Sequence, residues 1–167
     1  MKIVWILILN LVLGSYGMAD EHDHHAAFAT PPAETEIRVT SGDLFFRVEG
    51  RPNNQPIELV AGKRYRLTFT NVGSIMHEVL FGRNPSTEAD GSPGDYQEQM
   101  LSGFEVKVKG KGFEVEAQGL NELELSSGVA LSVIFTVPHS LVGNWEIGCF
   151  MPGHYMAGMK LPVIVRR

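Results

Sequence analysis

Cys149-Phe150-Met151-Pro152-Gly153-His154-Tyr155-Met156-Ala157-Gly158-Met159 is the most informative stretch of the chain. It holds the single cysteine, one histidine and, at its far end, a methionine. A thiolate, an imidazole and a thioether on one short loop make a soft donor set. Such a set selects copper, and a plane of two histidines and one cysteine with a weak axial methionine suits a copper that exchanges electrons. The loop supplies only one of the two histidines. The candidate for the other is His77, in Asn71-Val72-Gly73-Ser74-Ile75-Met76-His77.

Outward from the loop, the pattern has period two. Gly143-Asn144-Trp145-Glu146-Ile147-Gly148 reads as a strand entering Cys149, and residues 161–165 as the last strand, leaving Met159. Pro162 has no N–H to give to a ladder, which predicts an edge position or a bulge there. Leu131, Val133 and Phe135 line one face of a strand that stops at Pro138. Tyr65, Leu67 and Phe69 alternate with Arg64, Arg66 and Thr68, the signature of a half-buried strand. Ile37 and Val39, then Leu44, Phe46 and Val48, then Ile57 and Leu59 repeat the alternation, and Val79 and Phe81 start another strand directly after His77.

Residues 83–127 differ. Residues 83–94 are rich in Asn, Pro, Ser, Gly and acids and predict a loop. Asp95-Tyr96-Gln97-Glu98-Gln99-Met100-Leu101 predicts a short helix with Asp95 as its N-cap. Phe104, Val106 and Val108 and then Phe113, Val115 and Ala117 alternate across Gly110-Lys111-Gly112, a hairpin. The region predicts a loop, short-helix and hairpin insertion between core strands. Seven or eight short strands with turns between them predict an all-β sandwich, within one domain spanning residues 36–167.

The 149–159 loop resembles the copper loop of the cupredoxins, the type 1 blue copper proteins that include azurin, plastocyanin and rusticyanin. Its Cys-x4-His-x4-Met spacing, with Pro152-Gly153 before His154, is most similar to the rusticyanin-type loop. The resemblance runs over about residues 37–165 and is strongest at 71–77 and 143–159. It implies a Greek-key sandwich and one type 1 copper, with His77, Cys149 and His154 in the plane and Met159 as the axial contact. Met156 competes for the axial place by residue type, but its Cys-x4-His-x1-Met spacing matches no family loop. His139, after Pro138, has no donor near it in sequence and reads as a surface histidine. The resemblance also implies an apolar patch at the edge of His154 where a redox partner docks. Phe150, Met151, Tyr155 and Met156 are its candidates, with core filling the alternative for each.

Two departures from the family stand out. Azurin and plastocyanin have an asparagine after the first histidine, tying the two ligand loops together. This chain has Glu78 there, which leaves the tie unassigned and predicts a looser site with stronger axial coordination. Met76, Met151 and Met156 crowd the ligands, and a histidine-bearing tail accompanies them. In these respects the chain is similar to periplasmic cupredoxins associated with copper tolerance. Two functions are therefore weighed: copper tolerance or handling with redox activity, and a soluble electron carrier for a respiratory or photosynthetic chain. The partners are accordingly a redox protein or copper-export machinery. Related enzymes need a second domain and paired His-x-His motifs, whereas residues 36–167 contain only His77, His139 and His154. A two-copper purple centre needs two cysteines. No enzymatic activity is expected, and nothing in the sequence supports catalytic Cu(I) oxidation.

At the start of the chain Lys2, the apolar run 3–13 and Gly17-Met18-Ala19 form the pattern of a secretory signal peptide over residues 1–19. Export to the periplasm is the expectation, with no membrane insertion after processing. Without Lys2 the formal charge of −5 becomes −6, which disfavours nucleic-acid partners. Residues 20–35 read as a flexible tail. Cleavage after Ala19 would expose Asp20-Glu21-His22, an amino terminus able to wrap Cu(II) in a square of nitrogens, with His24 and His25 beside it.

Overall fold

A computed structural model describes residues 33–167. The signal-peptide pattern over 1–19 and the tail donors Asp20, Glu21, His22, His24 and His25 lie outside the described residues. The described residues form a sandwich of two sheets. In chain order the strands are β1 Glu34–Gly42, β2 Phe45–Val48, β3 Ile57–Val60, β4 Arg64–Asn71, β5 His77–Thr87, β6 Pro93–Gln99, β7 Ser102–Gly110, β8 Phe113–Gly119, β9 Glu122–Leu125, β10 Ala130–Thr136, β11 Gly143–Gly148 and β12 Lys160–Arg166. A 3-10 turn, His139–Leu141, separates β10 from β11. One sheet has the order β2-β1-β4-β10-β7-β8, the other β3-β12-β11-β5-β6, with β9 paired to β5. β1 runs parallel to β4 and β3 parallel to β12, while the other paired strands are antiparallel.

The alternation in the sequence decides the packing. In β4, Tyr65, Leu67, Phe69 and Asn71 are buried, while Arg64, Arg66 and Thr68 occupy the half-buried outer face. There Arg66 Nε donates to Glu34 (2.6 Å) and the Thr68 hydroxyl to Glu36 (3.1 Å). The inner faces meet through Phe69 of β4 and Phe81 of β5, fully enclosed rings 5.8 Å apart and edge to face.

Several expectations are corrected by the pairing. Residues 93–99 form strand β6 instead of a helix capped by Asp95, and β5 runs on to Thr87 through the segment expected to be a loop. The cause is tertiary. Tyr96 crosses Gly82, where a Cβ would come within 2.5 Å of the tyrosine ring, and Arg83 is tied to the Glu98 carboxylate across the two strands. These cross-strand contacts outweigh a weak local helix preference. The β5–β6 register shifts between Pro85 and Thr87, so the ladder is irregular there.

Region 83–127 is woven into both sheets: β7 pairs with core strand β10, and β9 pairs with the start of β5. The 110–112 hairpin forms as expected, with Gly112 at φ 82°. Its outer strand β8 is exposed nearly throughout, and Glu114 and Glu116 meet Lys107 and Lys109 of β7 there. Charge on an exposed edge blocks pairing with other chains. β12 is an inner strand with no bulge, contrary to the expectation from Pro162. Pro162 precedes the first β3 partner, Ile57 opposite Val163, so its missing N–H breaks no ladder on that side. β1 starts at Glu34, inside the segment read as tail.

Phe69→Ala should remove the cross-sheet contact and lower stability by about 3–5 kcal/mol. The urea midpoint of the metal-free protein should fall with little change in the slope of unfolding.

Candidate metal centre

The two strand ends that carry the candidate ligands lie side by side. His77 is the first residue of β5, and Cys149 follows β11 directly. β11 pairs with β5 over Gly148↔Leu80, Ile147↔Phe81 and Glu146↔Gly82, which brings Cys149 beside the start of β5. His77 and Cys149 are fully buried, and His154 is 8% exposed. One donor atom from each lies within 4.8 Å of those of the other two. Cys149 Sγ stands 3.4 Å from His154 Nδ1, and the imidazole rings of His77 and His154 are 5.2 Å apart. Donors sharing one ion in a trigonal plane, at metal distances of roughly 2.0–2.3 Å, stand about 3.5–4 Å apart.

The loop closes by continuing the β11–β12 ladder. Cys149 N donates to the Met159 carbonyl (3.2 Å), and Met159 N to the His154 carbonyl (3.0 Å). Pro152-Gly153 turns the chain with Gly153 at φ 83°, and His154 N donates back to the Met151 carbonyl (2.9 Å). Asn54, from the β2–β3 connection, donates Nδ2 to the Gly158 carbonyl (2.9 Å) and holds the far end. Met159 is fully buried, whereas Met156 is 72% exposed and projects away from the interior. His139 is on the surface.

Among the described residues neither nitrogen of His77 has a hydrogen-bond partner, although the ring is wholly out of water. Burial, and secondarily His154, push its pKa down, so the ring is neutral at neutral pH and its lone pair is free. Burial pushes the Cys149 thiol up, so a metal has to displace its proton. Unpaired buried polar atoms are costly unless a further group completes them. Two imidazoles, a thiol and a nearby thioether fit copper.

The expected gap at Glu78 is filled by Glu78 itself. Its carboxylate accepts the Phe150 N–H (3.0 Å), and its own N–H points to Cys149 Sγ (3.4 Å). The two ligand loops are thus tied after all, by a longer side chain doing what an asparagine does. Burial first, and then Glu122, raise the pKa of this carboxyl.

Phe150 and Tyr155 stack at 4.7 Å with planes 10° apart, Tyr96 meets Phe150 edge-on at 4.9 Å, and the Tyr155 hydroxyl donates to Glu146. These aromatics brace the loop as well as border it. Met151 packs against the core from a half-buried position, which leaves Met156 as the openly exposed member of the four-residue patch.

Asn71 was not singled out from the sequence. It is fully buried; its Nδ2 donates to the carbonyls of Ile75 (2.8 Å) and Leu125 (2.7 Å), and its Oδ1 accepts from Gly73 N (2.8 Å). It shapes the loop leading into His77. Its phase was legible, because position 71 continues the inward series 65, 67, 69. Asn54 gave no such signal in its turn.

Glu78→Ala leaves the Phe150 N–H without its acceptor and should lower the stability of the metal-free protein by about 1 kcal/mol. Amide hydrogen exchange at Phe150 should quicken, and Glu78→Gln, which keeps a carbonyl acceptor, should restore most of the protection.

No family model matches the chain. A curated relative, the copper-resistant cuproprotein CopI of Pseudomonas aeruginosa, is 24% identical over 174 residues, 92% of this chain and 90% of that protein. Among solved structures, dithionite-reduced auracyanin of the photosynthetic bacterium Roseiflexus castenholzii matches with a TM-score of 0.50 at 17% identity, over 80% of this chain and 98% of that one. A multicopper oxidase matches with a TM-score of 0.57 at 12% identity, over 81% of this chain but only 45% of its own. The architecture is shared with nearly the whole of that auracyanin and with somewhat under half of that multicopper oxidase. By fold, the chain is a cupredoxin-like protein.

Proposed function

We propose that this is an exported type 1 copper protein, redox-active and used in periplasmic copper tolerance or handling. The observation that carries the copper site is the buried cluster of His77, Cys149 and His154, with both His77 nitrogens unpartnered. A bound copper would supply one-electron exchange between Cu(I) and Cu(II). The chain's own residues would hold it: His77, Cys149 and His154 through two imidazoles and a thiolate, with buried Met159 as the thioether donor. The Cys149–Met159 and Met159–His154 backbone bonds, with the Glu78 tie, hold the segments that carry these donors together.

The tolerance role is supported by the similarity to a protein named for copper resistance and by the methionines near the ligands. Export is supported by the signal-peptide pattern over residues 1–19. A non-enzymatic role is supported by the lack of a further histidine set within residues 36–167. The second reading, a soluble electron carrier, is favoured by the rigidity of the site and by exposed Met156 beside it, where a redox protein could dock.

The copper-loaded protein should show intense sulfur-to-copper charge-transfer absorption in the visible, and Cys149→Ser should abolish it while the far-ultraviolet dichroism stays that of the wild type. In cells lacking the protein, copper sensitivity should be relieved by the wild type and not by Cys149→Ser. Equal growth of all three under copper, together with a respiratory or photosynthetic defect, would favour the carrier.

The axial assignment has its own measurement. Met159→Leu should raise the reduction potential in voltammetry, because losing a thioether donor disfavours Cu(II) more than Cu(I), and Met156→Leu should shift it less. The reverse order would make Met156 the axial residue.

A further inference from the structure

Asp43 lies at the tip of the two-residue turn between β1 and β2, thirty-four positions before His77 in sequence. Its Oδ1 stands 3.5 Å from His77 Nε2. It belongs to neither ligand loop, yet its carboxylate approaches an imidazole that has no hydrogen-bond partner among the described residues.

The carboxylate is held in place. Ser74, in the loop leading into His77, donates its N–H to Asp43 Oδ1 (3.0 Å) and its hydroxyl to Oδ2 (3.1 Å). These bonds, the backbone one first, lower the Asp43 pKa and keep it ionised. The loop leaves room for this approach. A Cβ on Gly73 would fall 2.4 Å from Asp43 Oδ1 and 2.7 Å from His77 Nε2, so only glycine fits between them. Gly73 is itself fixed by Asn71 and by Ser127, whose hydroxyl donates to the Gly73 carbonyl (2.7 Å). The turn also carries Leu44 at φ 66°, a left-handed conformation unusual for leucine. At 3.5 Å the Asp43–His77 contact is long for a hydrogen bond, and a closure of a few tenths of an ångström makes it one.

We propose that Asp43 is a positioning residue for His77: its carboxylate accepts a hydrogen bond from Nε2–H, which commits Nδ1 to the copper and favours Cu(II). This rests on the copper site proposed above. A histidine with Nε2–H directed at a carboxylate has a fixed tautomer, a fixed ring plane and a more basic donor nitrogen. A neutral ring carries its one proton on one nitrogen only, so directing that proton to Nε2 leaves the Nδ1 lone pair unprotonated. An anion beside the ligand stabilises the more highly charged metal state, which lowers the reduction potential.

The test compares wild type, Asp43→Asn, Asp43→Ala and Ser74→Ala by two readouts. In the metal-free protein, long-range proton–nitrogen correlation of the His77 ring should report Nε2–H in the wild type and a mixture of tautomers in Asp43→Ala. In the copper-loaded protein, Asp43→Ala should weaken Cu(II) binding about ten- to a hundredfold. Each tenfold loss of Cu(II) preference over Cu(I) should appear as a rise of about 59 mV in potential. Asp43→Asn, which keeps the acceptor and loses the charge, should rise less, and Ser74→Ala should loosen the carboxylate and rise in the same direction. A wild-type potential in all three variants, or Nδ1–H as the main tautomer in the metal-free wild type, would overturn the proposal. If the wild type takes up no copper, the copper assignment fails, while the tautomer in metal-free protein still decides the contact with Asp43.

Discussion

A dry cluster of donors with little to bond to governs this molecule. His77 and Cys149 are wholly enclosed, His154 nearly so, and their donor atoms lie within 4.8 Å of one another. Each would be better solvated in the unfolded chain, so the fold bears a desolvation penalty at this spot. The surroundings have to be stiff enough to keep the cluster open. The Cys149–Met159 closure, the Glu78 carboxylate on Phe150 and the Asn71 network under the His77 loop supply that stiffness from three directions. A metal would then complete bonds that the protein leaves unmade.

Much of the sandwich could be read from period-two alternation, and β4 is the clearest case: its inward set 65, 67, 69 is the buried set. The donors could be read because their chemistry is rare and their spacing tight. A lone cysteine followed at fixed intervals by Pro-Gly, His and Met has few other uses. What failed to come through depended on partners distant in sequence. Residues 95–101 carry polar and acidic side chains compatible with a helix turn, and the meeting of Tyr96 with Gly82 and of Glu98 with Arg83 places residues 95–99 in a strand instead. Pro162 signals an edge in any one-strand view, because the late start of β3 beside it is invisible from the sequence.

Glu78 illustrates the same limit from the other side. Compared position by position with azurin, it looks like the loss of a tie. In three dimensions its extra methylene lets the carboxylate reach Phe150 N, so the function passes to a different residue type at the same place. The change has a chemical consequence, since an ionisable group now stands where azurin and plastocyanin have a neutral amide, within the electrostatic reach of Glu122, Asp95 and the Cys149 thiol. The same backbone tie can thus be combined with a different electrostatic setting for the metal.

The parallel pairing of β3 with β12 bears on the order in which the molecule comes together. Ile57 finds its partner Val163 only when nearly the whole chain exists, and β11 and β12 bracket the loop that carries Cys149 and His154. Contacts so distant in sequence close slowly, because the intervening chain has to be ordered first. His77 emerges from synthesis long before the residues it works with, and until β11 pairs with β5 it is a solitary imidazole with no thiol beside it. The centre therefore depends on pairing between distant parts of the chain, and a chain cut short before Cys149 keeps one imidazole of the cluster but has neither the thiol nor the second imidazole.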